Sequence, residues 1–301
     1  MSEQKHRSGF VNIVGRPNVG KSTLMNALVG ERMSIITNKP QTTRHRIIGI
    51  LSGDDFQIVF SDTPGIIKDP SYKMQEVMNA FVNTTFEDAD IMLFVTDATE
   101  KYEADDPVIE RIKKVDSPKF LIINKIDLVS NERVIELIQW WNDKIDFTET
   151  VPIAALEKKN TETVFKLILE NLPEGPEYYP KDQLTDRPER FFVSEIIREK
   201  ILELYHQEIP YSTEVTIESF KETTTKSGAP LVRIEAQIYV MRKSQKPILI
   251  GKGGEAIKKL GMEARKSIEK WLESKVFLEM RVKVRDNWRD DEQWLNRFGY
   301  R

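Results

Sequence analysis

The sequence predicts an α/β domain on a mostly parallel six-stranded sheet with helices on both faces, followed by a smaller α+β domain. Three observations support this prediction. Short apolar runs alternate with helical patterns over the first half of the chain, a proline-rich stretch interrupts the pattern near residue 172, and a helix, strand, strand, helix, strand order follows. With 301 residues, 40% of them hydrophobic, the chain can bury two cores.

The first domain is predicted from six apolar runs that read as strands, at residues 10–14, 46–51, 56–61, 91–96, 119–124 and 151–153. The turn at 52–55 joins the second and third runs, so these two are expected to form a hairpin, the one antiparallel pair. Helical spacing covers 74–86 and the segment from Asn131. Trp140 and Trp141 lie on that second pattern and are predicted to be core residues.

The stretch from 172 to 190 has linker composition, because it holds four prolines and few apolar residues. We therefore predict a first domain at 1–175, a linker at 176–188 and a second domain at 189–301. The second domain is expected to contain helices at 189–205 and 255–271 and strands at 214–220, 231–239 and 276–285.

Composition excludes several kinds of site. Cysteine is absent, so disulfides, thiolate metal sites and cysteine nucleophiles are ruled out. The three histidines lack metal-ligand spacing, so no zinc centre is expected. The amino terminus has no signal-like apolar core and no apolar run approaches bilayer length, so we expect a soluble, cytoplasmic protein.

Charge is unevenly distributed along the chain. The net charge is −3, but residues 241–301 hold 16 basic and 9 acidic side chains and carry +7, which leaves −10 on residues 1–240. A basic carboxyl-terminal region favours a polyanionic partner for the second domain.

A phosphate-binding loop is predicted immediately after the first strand. Gly15–Ser22 reads GRPNVGKS, the GxxxxGK[ST] pattern, and leads into an apolar helical segment. In such a loop, backbone N–H groups and the helix amino terminus face the phosphates, the lysine reaches the β- and γ-phosphates, and the serine hydroxyl ligates Mg²⁺. The predicted phosphate contacts are Gly15, Arg16, Pro17, Asn18, Val19, Gly20, Lys21, Ser22 and Thr23.

The base is predicted to be guanine. Asn124, Lys125, Ile126 and Asp127 follow a buried strand, at the sheet edge where ligands of parallel sheets bind. The Asp127 carboxylate can accept hydrogen bonds from the guanine N1–H and amine, a donor pair that adenine lacks.

Two further segments are predicted to respond to the γ-phosphate. Asp62, Thr63, Pro64 and Gly65 end a strand, where Asp62 can hold Mg²⁺ through water and the Gly65 N–H can reach the γ-phosphate. Upstream lies an aperiodic polar segment in which either Thr42 or Thr43 completes the Mg²⁺ shell. This first switch comprises Gln41, Thr42, Thr43, Arg44 and His45. Arg44 and Arg46 can each serve as an arginine finger or face solvent or RNA.

The order of these motifs resembles that of P-loop GTPases of the translation-factor class, and their variants resemble the Era family. A Ser-Ala-Leu triplet expected near the base is here Ala154, Ala155 and Leu156, so that contact falls to a backbone N–H such as that of Ala155. Ile66 occupies the position of the water-orienting glutamine, which implies slow hydrolysis that depends on Lys21, Mg²⁺ and phosphate positioning. Asn18 either helps hold K⁺, as in similar GTPases, or only stabilises the loop turn.

The second domain resembles a type II KH domain. Ile250, Gly251, Lys252, Gly253 and Gly254 form a GxxG loop of the kind that lets a single-stranded RNA backbone approach the peptide. The predicted RNA contacts are these five residues with Arg242, Lys243, Lys246 and Lys258. Trp288, Trp294 and Tyr300 stack on bases or pack the terminal helix, and packing is expected for at least one of them.

A GTPase of this motif set followed by a KH domain is typical of the Era family. The resemblance implies a monomeric GTP-dependent factor that binds the 3′ end of 16S rRNA, assists assembly of the 30S ribosomal subunit, and associates with the inner face of the cell membrane. Two other hypotheses remain: a GTPase serving as a metabolic enzyme, and a GTPase scaffold whose basic module binds anionic membrane or protein.

Overall fold

The computed structural model describes residues 6–225 and 227–300, which form two compact units. The first contains the described residues up to Asp69 and Met78–Asp186, and the second contains Pro70–Val77 and the residues from Arg187 onward. The domain limits predicted from composition stay a prediction. No helix among the described residues is long and apolar enough to cross a membrane.

The first unit is built on a six-stranded sheet in the order β2-β3-β1-β4-β5-β6. All neighbouring strands are parallel except β2 and β3, which form the predicted antiparallel hairpin. The predicted α/β class is therefore confirmed. The strands are β1 (Arg7–Val14), β2 (Ile47–Ser52), β3 (Phe56–Asp62), β4 (Ile91–Asp97), β5 (Lys119–Asn124) and β6 (Glu149–Pro152).

In the part of the chain that the structure describes, the α-helices of the first unit are α1 (Lys21–Val29), α3 (Pro107–Lys113), α4 (Asn131–Asn142) and α5 (Thr161–Asn171). A further helix, α2 (Lys73–Thr85), begins in the Pro70–Val77 segment of the second unit and continues in the first. Two have side-chain amino-terminal caps, Asp106 on α3 and Ser130 on α4. The predicted core role is confirmed for Trp141, which is 1% exposed and lies 5.1 Å, between ring centroids, from Phe94.

Part of the predicted linker lies against the first sheet as a strap, defined here as residues 173–184. Ser8 N–H donates to Pro173 O at 3.0 Å, and Ile50 N–H on the outer edge of β2 donates to Leu184 O at 2.8 Å. Between these points the buried Gln57 amide accepts hydrogen bonds from the Tyr178 and Tyr179 N–H groups at 2.7 and 2.9 Å. These contacts satisfy backbone groups of the strap and hold it against the sheet from Pro173 to Leu184.

The second unit has a three-stranded sheet in the order β7-β8-β9, with β8 antiparallel to β7 and parallel to β9. Its elements are α6 (Glu189–Leu204), β7 (Thr213–Thr224), β8 (Pro230–Val240), α7 (Gln245–Ile250), α8 (Glu255–Leu272), β9 (Lys275–Val284) and α9 (Glu292–Arg297). The short helix α7 is absent from the prediction, because six residues are too few to display an apolar period.

The second core lies on one face of this sheet, where α6 and α8 pack. Leu260, Ala264 and Ile268, four residues apart on α8, form its buried stripe. Packing of the carboxyl-terminal aromatic residues is confirmed for Trp288 and Tyr300, which are 0% and 1% exposed.

Candidate nucleotide site and nucleic-acid interface

The carboxyl ends of β1, β3 and β5 meet at one edge of the first sheet beside a cavity of about 580 Å³. This volume suits a drug-sized or nucleotide-sized ligand. The sequence-predicted residues that line it are Pro17, Asn18, Gly20, Lys21, Ser22, Thr23, Gln41, Thr42, Thr43, Thr63, Gly65, Asn124, Lys125, Asp127, Ala155 and Leu156. Predicted residues outside the lining are Gly15, Arg16, Val19, Arg44, His45, Asp62, Pro64, Ile66, Ile126 and Ala154.

The predicted phosphate loop connects β1 to α1. Gly20 is needed here, because its φ is +96° and a Cβ would lie 2.2 Å from Asn124 Nδ2. The Lys21 ammonium folds back over the loop and donates to the carbonyl oxygens of Gly15 at 3.1 Å and Arg16 at 2.8 Å. The loop therefore directs a buried cation to the cavity at the amino terminus of a helix, where phosphate binding is favourable.

Burial changes the protonation of both charged groups beneath the loop. Burial lowers the pKa of Lys21 to about 8, although the carboxylates of Asp62 and Glu100 oppose the shift. Burial also raises the pKa of Asp62, and the Lys21 ammonium opposes that change. Both charged forms thus carry a desolvation penalty that bound phosphate and metal would offset.

Three oxygen groups of the kind that bind Mg²⁺ converge at the start of α1. Ser22 Oγ donates to Asp62 Oδ2 at 2.6 Å and lies 2.9 Å from Thr43 Oγ1. The other oxygen, Asp62 Oδ1, is buried and has no hydrogen-bond partner among the described residues. A carboxylate and two hydroxyls form a hard oxygen donor set, so these residues fit a magnesium ion.

The neighbouring Thr42 hydroxyl forms hydrogen bonds with other residues of its own segment. Thr42 Oγ1 pairs with Thr37 Oγ1 and donates to Lys39 O, both at 2.6 Å, so its hydroxyl is engaged within the segment. Arg44 is fully buried and His45 is 5% exposed. Burial of Arg44 argues against the interpretation that it faces solvent or RNA.

At the opposite end of the cavity, Asn124 links two loops by hydrogen bonds. Its amide donates to Val19 O at 2.9 Å and its Oδ1 accepts from the Ala155 N–H at 3.0 Å, so it ties the phosphate loop to the segment after β6. The Ala155 N–H, which is predicted from the sequence to contact the base, thus donates to Asn124 in this structure. Asp127 lines the cavity with an exposed carboxylate, and Leu156, 85% exposed, lies at its rim.

Sequence reasoning missed Asp97, the last residue of β4. Its Oδ2 forms an ion pair with Lys125 Nζ at 2.5 Å, and the same ammonium donates to Asn18 O at 2.8 Å. The signal that could have found it is position, since Asp97 ends β4 at the same sheet edge where Asp62 ends β3.

The residues after Pro64 lie against the phosphate loop. A Cβ at Gly65 would lie 2.5 Å from Pro17 N, so the close approach of the two backbones requires glycine. Ile66 N–H donates to Gly15 O at 3.2 Å, and the Ile66 side chain packs against the apolar core that includes β4 and α3. Its side chain has no group to orient a water molecule.

In the second unit, a glycine loop joins α7 to α8. Gly251 adopts φ +78°, and a Cβ there would lie 2.6 Å from Ala256 Cβ, whereas a Cβ at Gly253, with φ +60°, would meet nothing within 4 Å. Exposed basic side chains flank the loop, namely Arg242, Lys243, Lys246, Lys252 and Lys258. Together they surround an open stretch of backbone with positive charge, which suits a nucleic-acid backbone.

Comparison with known proteins identifies both units. A family model described as 50S ribosome-binding GTPase matches residues 10–125, and one described as KH domain matches residues 208–289. A solved structure of a variant of Aquifex aeolicus Era bound to GDP·AlF4⁻ is 39% identical, with 98% of this chain and 99% of that chain covered and a TM-score of 0.91. Era in complex with MgGDPNP and nucleotides 1506–1542 of 16S ribosomal RNA matches with the same identity and coverage and a TM-score of 0.92.

Proposed function

The chain belongs to the Era family of GTPases, and we propose that it is a GTP-hydrolysing switch that binds the 3′ end of 16S rRNA and assists assembly of the 30S subunit. The strongest support is that one chain contains both a nucleotide-binding cluster, formed by Lys21, Ser22, Thr43 and Asp62, and an exposed, basic GxxG loop. The similarity extends over both units, so the GTPase and RNA-binding parts are carried over together.

We propose that Gly15–Thr23 hold the phosphates, with Lys21 at the β- and γ-phosphates and the Gly65 N–H at the γ-phosphate. Ser22 and Thr43 would ligate Mg²⁺ directly and Asp62 through water. Thr43 is preferred over Thr42 because its hydroxyl lies beside Ser22. When bound, the metal neutralises charge that develops on the phosphates.

Guanine selectivity is assigned to Asp127, because its carboxylate is exposed in the cavity and can accept two hydrogen bonds from the base. Asn124 and Lys125 act by holding the phosphate loop and the base-binding loop together. Xanthosine diphosphate provides the test, since Asp127→Asn should exchange guanine preference for xanthine preference, and an unchanged preference would refute this role.

Hydrolysis is proposed to be slow, because no side chain at position 66 orients the water. Asn18 is exposed, and its amide donates to Asn38 O at 3.3 Å, which leaves both earlier roles open. Exchanging K⁺ for Na⁺ at constant ionic strength distinguishes them. A K⁺ role requires faster turnover in K⁺ and loss of that difference in Asn18→Gly, which removes the side-chain oxygen and allows the positive φ of position 18. A turn role requires equal rates in both salts.

The RNA assignment has a matched pair of variants. Position 253 is open and left-handed, and Asp and Asn both tolerate that conformation, so Gly253→Asp and Gly253→Asn should fold. If the loop lies against an RNA backbone, both side chains obstruct it and both variants lose binding of an oligonucleotide from the 3′ end of 16S rRNA. If Gly253→Asn binds normally, only charge matters and the proposed backbone contact is wrong.

The alternative is a GTPase scaffold whose basic unit binds anionic membrane or protein. It predicts that anionic lipid vesicles bind better than RNA and that Gly253→Asn is neutral. A cytoplasmic location with peripheral contact to the inner membrane belongs to the same proposal, and vesicle flotation with and without competing RNA tests it.

A further inference from the structure

The four residues that follow Pro64, here called segment 65–68, are held to the first unit at several points. Gly65 lies against Pro17 of the phosphate loop. Ile67 exchanges two hydrogen bonds with the Asn79 side chain, at 3.1 Å from its N–H and 2.8 Å to its carbonyl. The segment then ends at Lys68, whose ammonium pairs with Asp106 at 3.1 Å.

Asp106 is a buried carboxylate with three partners. It is 4% exposed, and its Oδ1 caps α3 by accepting the Val108 N–H at 3.1 Å. Its Oδ2 accepts from both Lys68 and Arg16. Burial alone would raise the pKa of Asp106, but the Val108 N–H, Lys68 and Arg16 together hold it below the usual value, so the group stays ionised.

Of the two cations that contact Asp106, Arg16 is held in place by further contacts. It belongs to the phosphate loop, its Nη1 donates to Lys101 O at 3.1 Å, and its guanidinium lies 3.7 Å from the centroid of the Tyr102 ring. Hydrogen bonds from both terminal nitrogens and stacking on an aromatic ring restrict the Arg16 guanidinium to one position.

Lys68, the other cation, can separate from Asp106 more easily. Its side chain is 55% exposed, and Asp106 is its one ion-pair partner among the described residues. A half-exposed ammonium on a flexible stem forms and breaks such a pair with little change in free energy. Asp106 therefore joins a permanent contact with the phosphate loop to a labile contact with segment 65–68.

We propose that Asp106 is a positioning residue that holds segment 65–68 where the Gly65 N–H can reach the γ-phosphate. The proposal rests on the GTP binding proposed above. The Lys68 pair is present together with the approach of Thr43 to Ser22, so both switch segments lie close to the phosphate loop at once. Since GDP has no γ-phosphate, the contribution of this contact is specific to GTP.

The test is the ratio of affinities for a non-hydrolysable GTP analogue and GDP, measured by calorimetry in the full-length protein with Mg²⁺. Lys68→Ala should lower this ratio about threefold through the analogue alone, as expected for a half-exposed pair. Asp106→Asn keeps a capping side chain and should lower the ratio at least as much. Adding Lys68→Ala to Asp106→Asn should then have no further effect, because both remove one contact.

Two variants are matched controls. Lys113→Ala removes a comparable lysine from α3, paired with Glu110 at 2.8 Å, and should leave the ratio unchanged. Asn79→Ala loosens the same segment through Ile67 and should lower the ratio. If Lys68→Ala weakens both nucleotides equally, leaves the ratio unchanged, or adds fully to Asp106→Asn, the inference is overturned while GTP binding stands. A wild-type protein that binds neither nucleotide refutes the proposed function and this inference together.

Discussion

The buried lysine of the phosphate loop should make nucleotide affinity depend on pH. Burial lowers the pKa of Lys21 to about 8, and the phosphates of a bound nucleotide raise it again by adding negative charge. Above pH 8 the free protein has lost a proton that the complex keeps, so binding takes up a proton and affinity falls as pH rises. With a pKa of about 8, the charged fraction falls about tenfold between pH 7 and pH 9.

GDP affinity should therefore weaken about tenfold across that interval, and calorimetry in buffers of different ionisation enthalpy should detect proton uptake above pH 8. Lys21→Arg is the matched control, because a guanidinium stays charged throughout and any remaining slope belongs to the nucleotide or to other groups. An equal slope in the wild type and Lys21→Arg would refute the lowered pKa of Lys21.

Three further predictions concern metal binding and stability. Thr43→Ala should weaken Mg²⁺-dependent binding of a GTP analogue about tenfold while Thr42→Ala changes it little, and the reverse order would reassign the ligand. Gly251 has φ +78° and ψ +169°, a backbone conformation essentially restricted to glycine, and a Cβ there has no room. Gly251→Ala should therefore lower the free energy of unfolding of the second unit by about 2–4 kcal/mol in chemical denaturation. Gly253→Ala should lower it by about 1 kcal/mol, because position 253 is left-handed but open. Tyr300→Phe should cost about 1–2 kcal/mol by the same measurement, because the phenol donates a buried 2.7 Å hydrogen bond to Glu214 Oε2, and an unchanged stability would show that this bond contributes nothing net.

The sequence predicted those features whose demands are local. A glycine-rich turn between an apolar strand and a helix, a polar run at a strand end and a GxxG loop between basic residues each lie within about ten residues of chain. Their residue types are set by backbone approach and by ligand chemistry, so Lys21, Ser22 and Asp127 could be placed in a site before any tertiary contact was known.

Features that depend on tertiary contacts could not be predicted in this way. The proposed preference for Thr43 over Thr42 depends on the path of an aperiodic segment, and neighbouring threonines look equivalent in the sequence. The strap has linker composition, and its contacts with the sheet could not be predicted, because its partners, among them Gln57, lie more than 100 residues earlier in the chain. Asp106 looks like an ordinary helix cap, and its link to Arg16 and Lys68 is visible only in the fold.

The proposal that this chain is a switch implies that its nucleotide state controls RNA binding, and one affinity measurement tests this central claim most directly. A labelled oligonucleotide from the 3′ end of 16S rRNA and a scrambled control would be titrated with the full-length protein, with a GTP analogue or GDP, at two salt concentrations. The account predicts sequence-selective binding that is tighter with the analogue. Equal binding of both oligonucleotides in both nucleotide states, with a steep salt dependence, would contradict it and reduce the basic unit to a nonspecific polyanion surface.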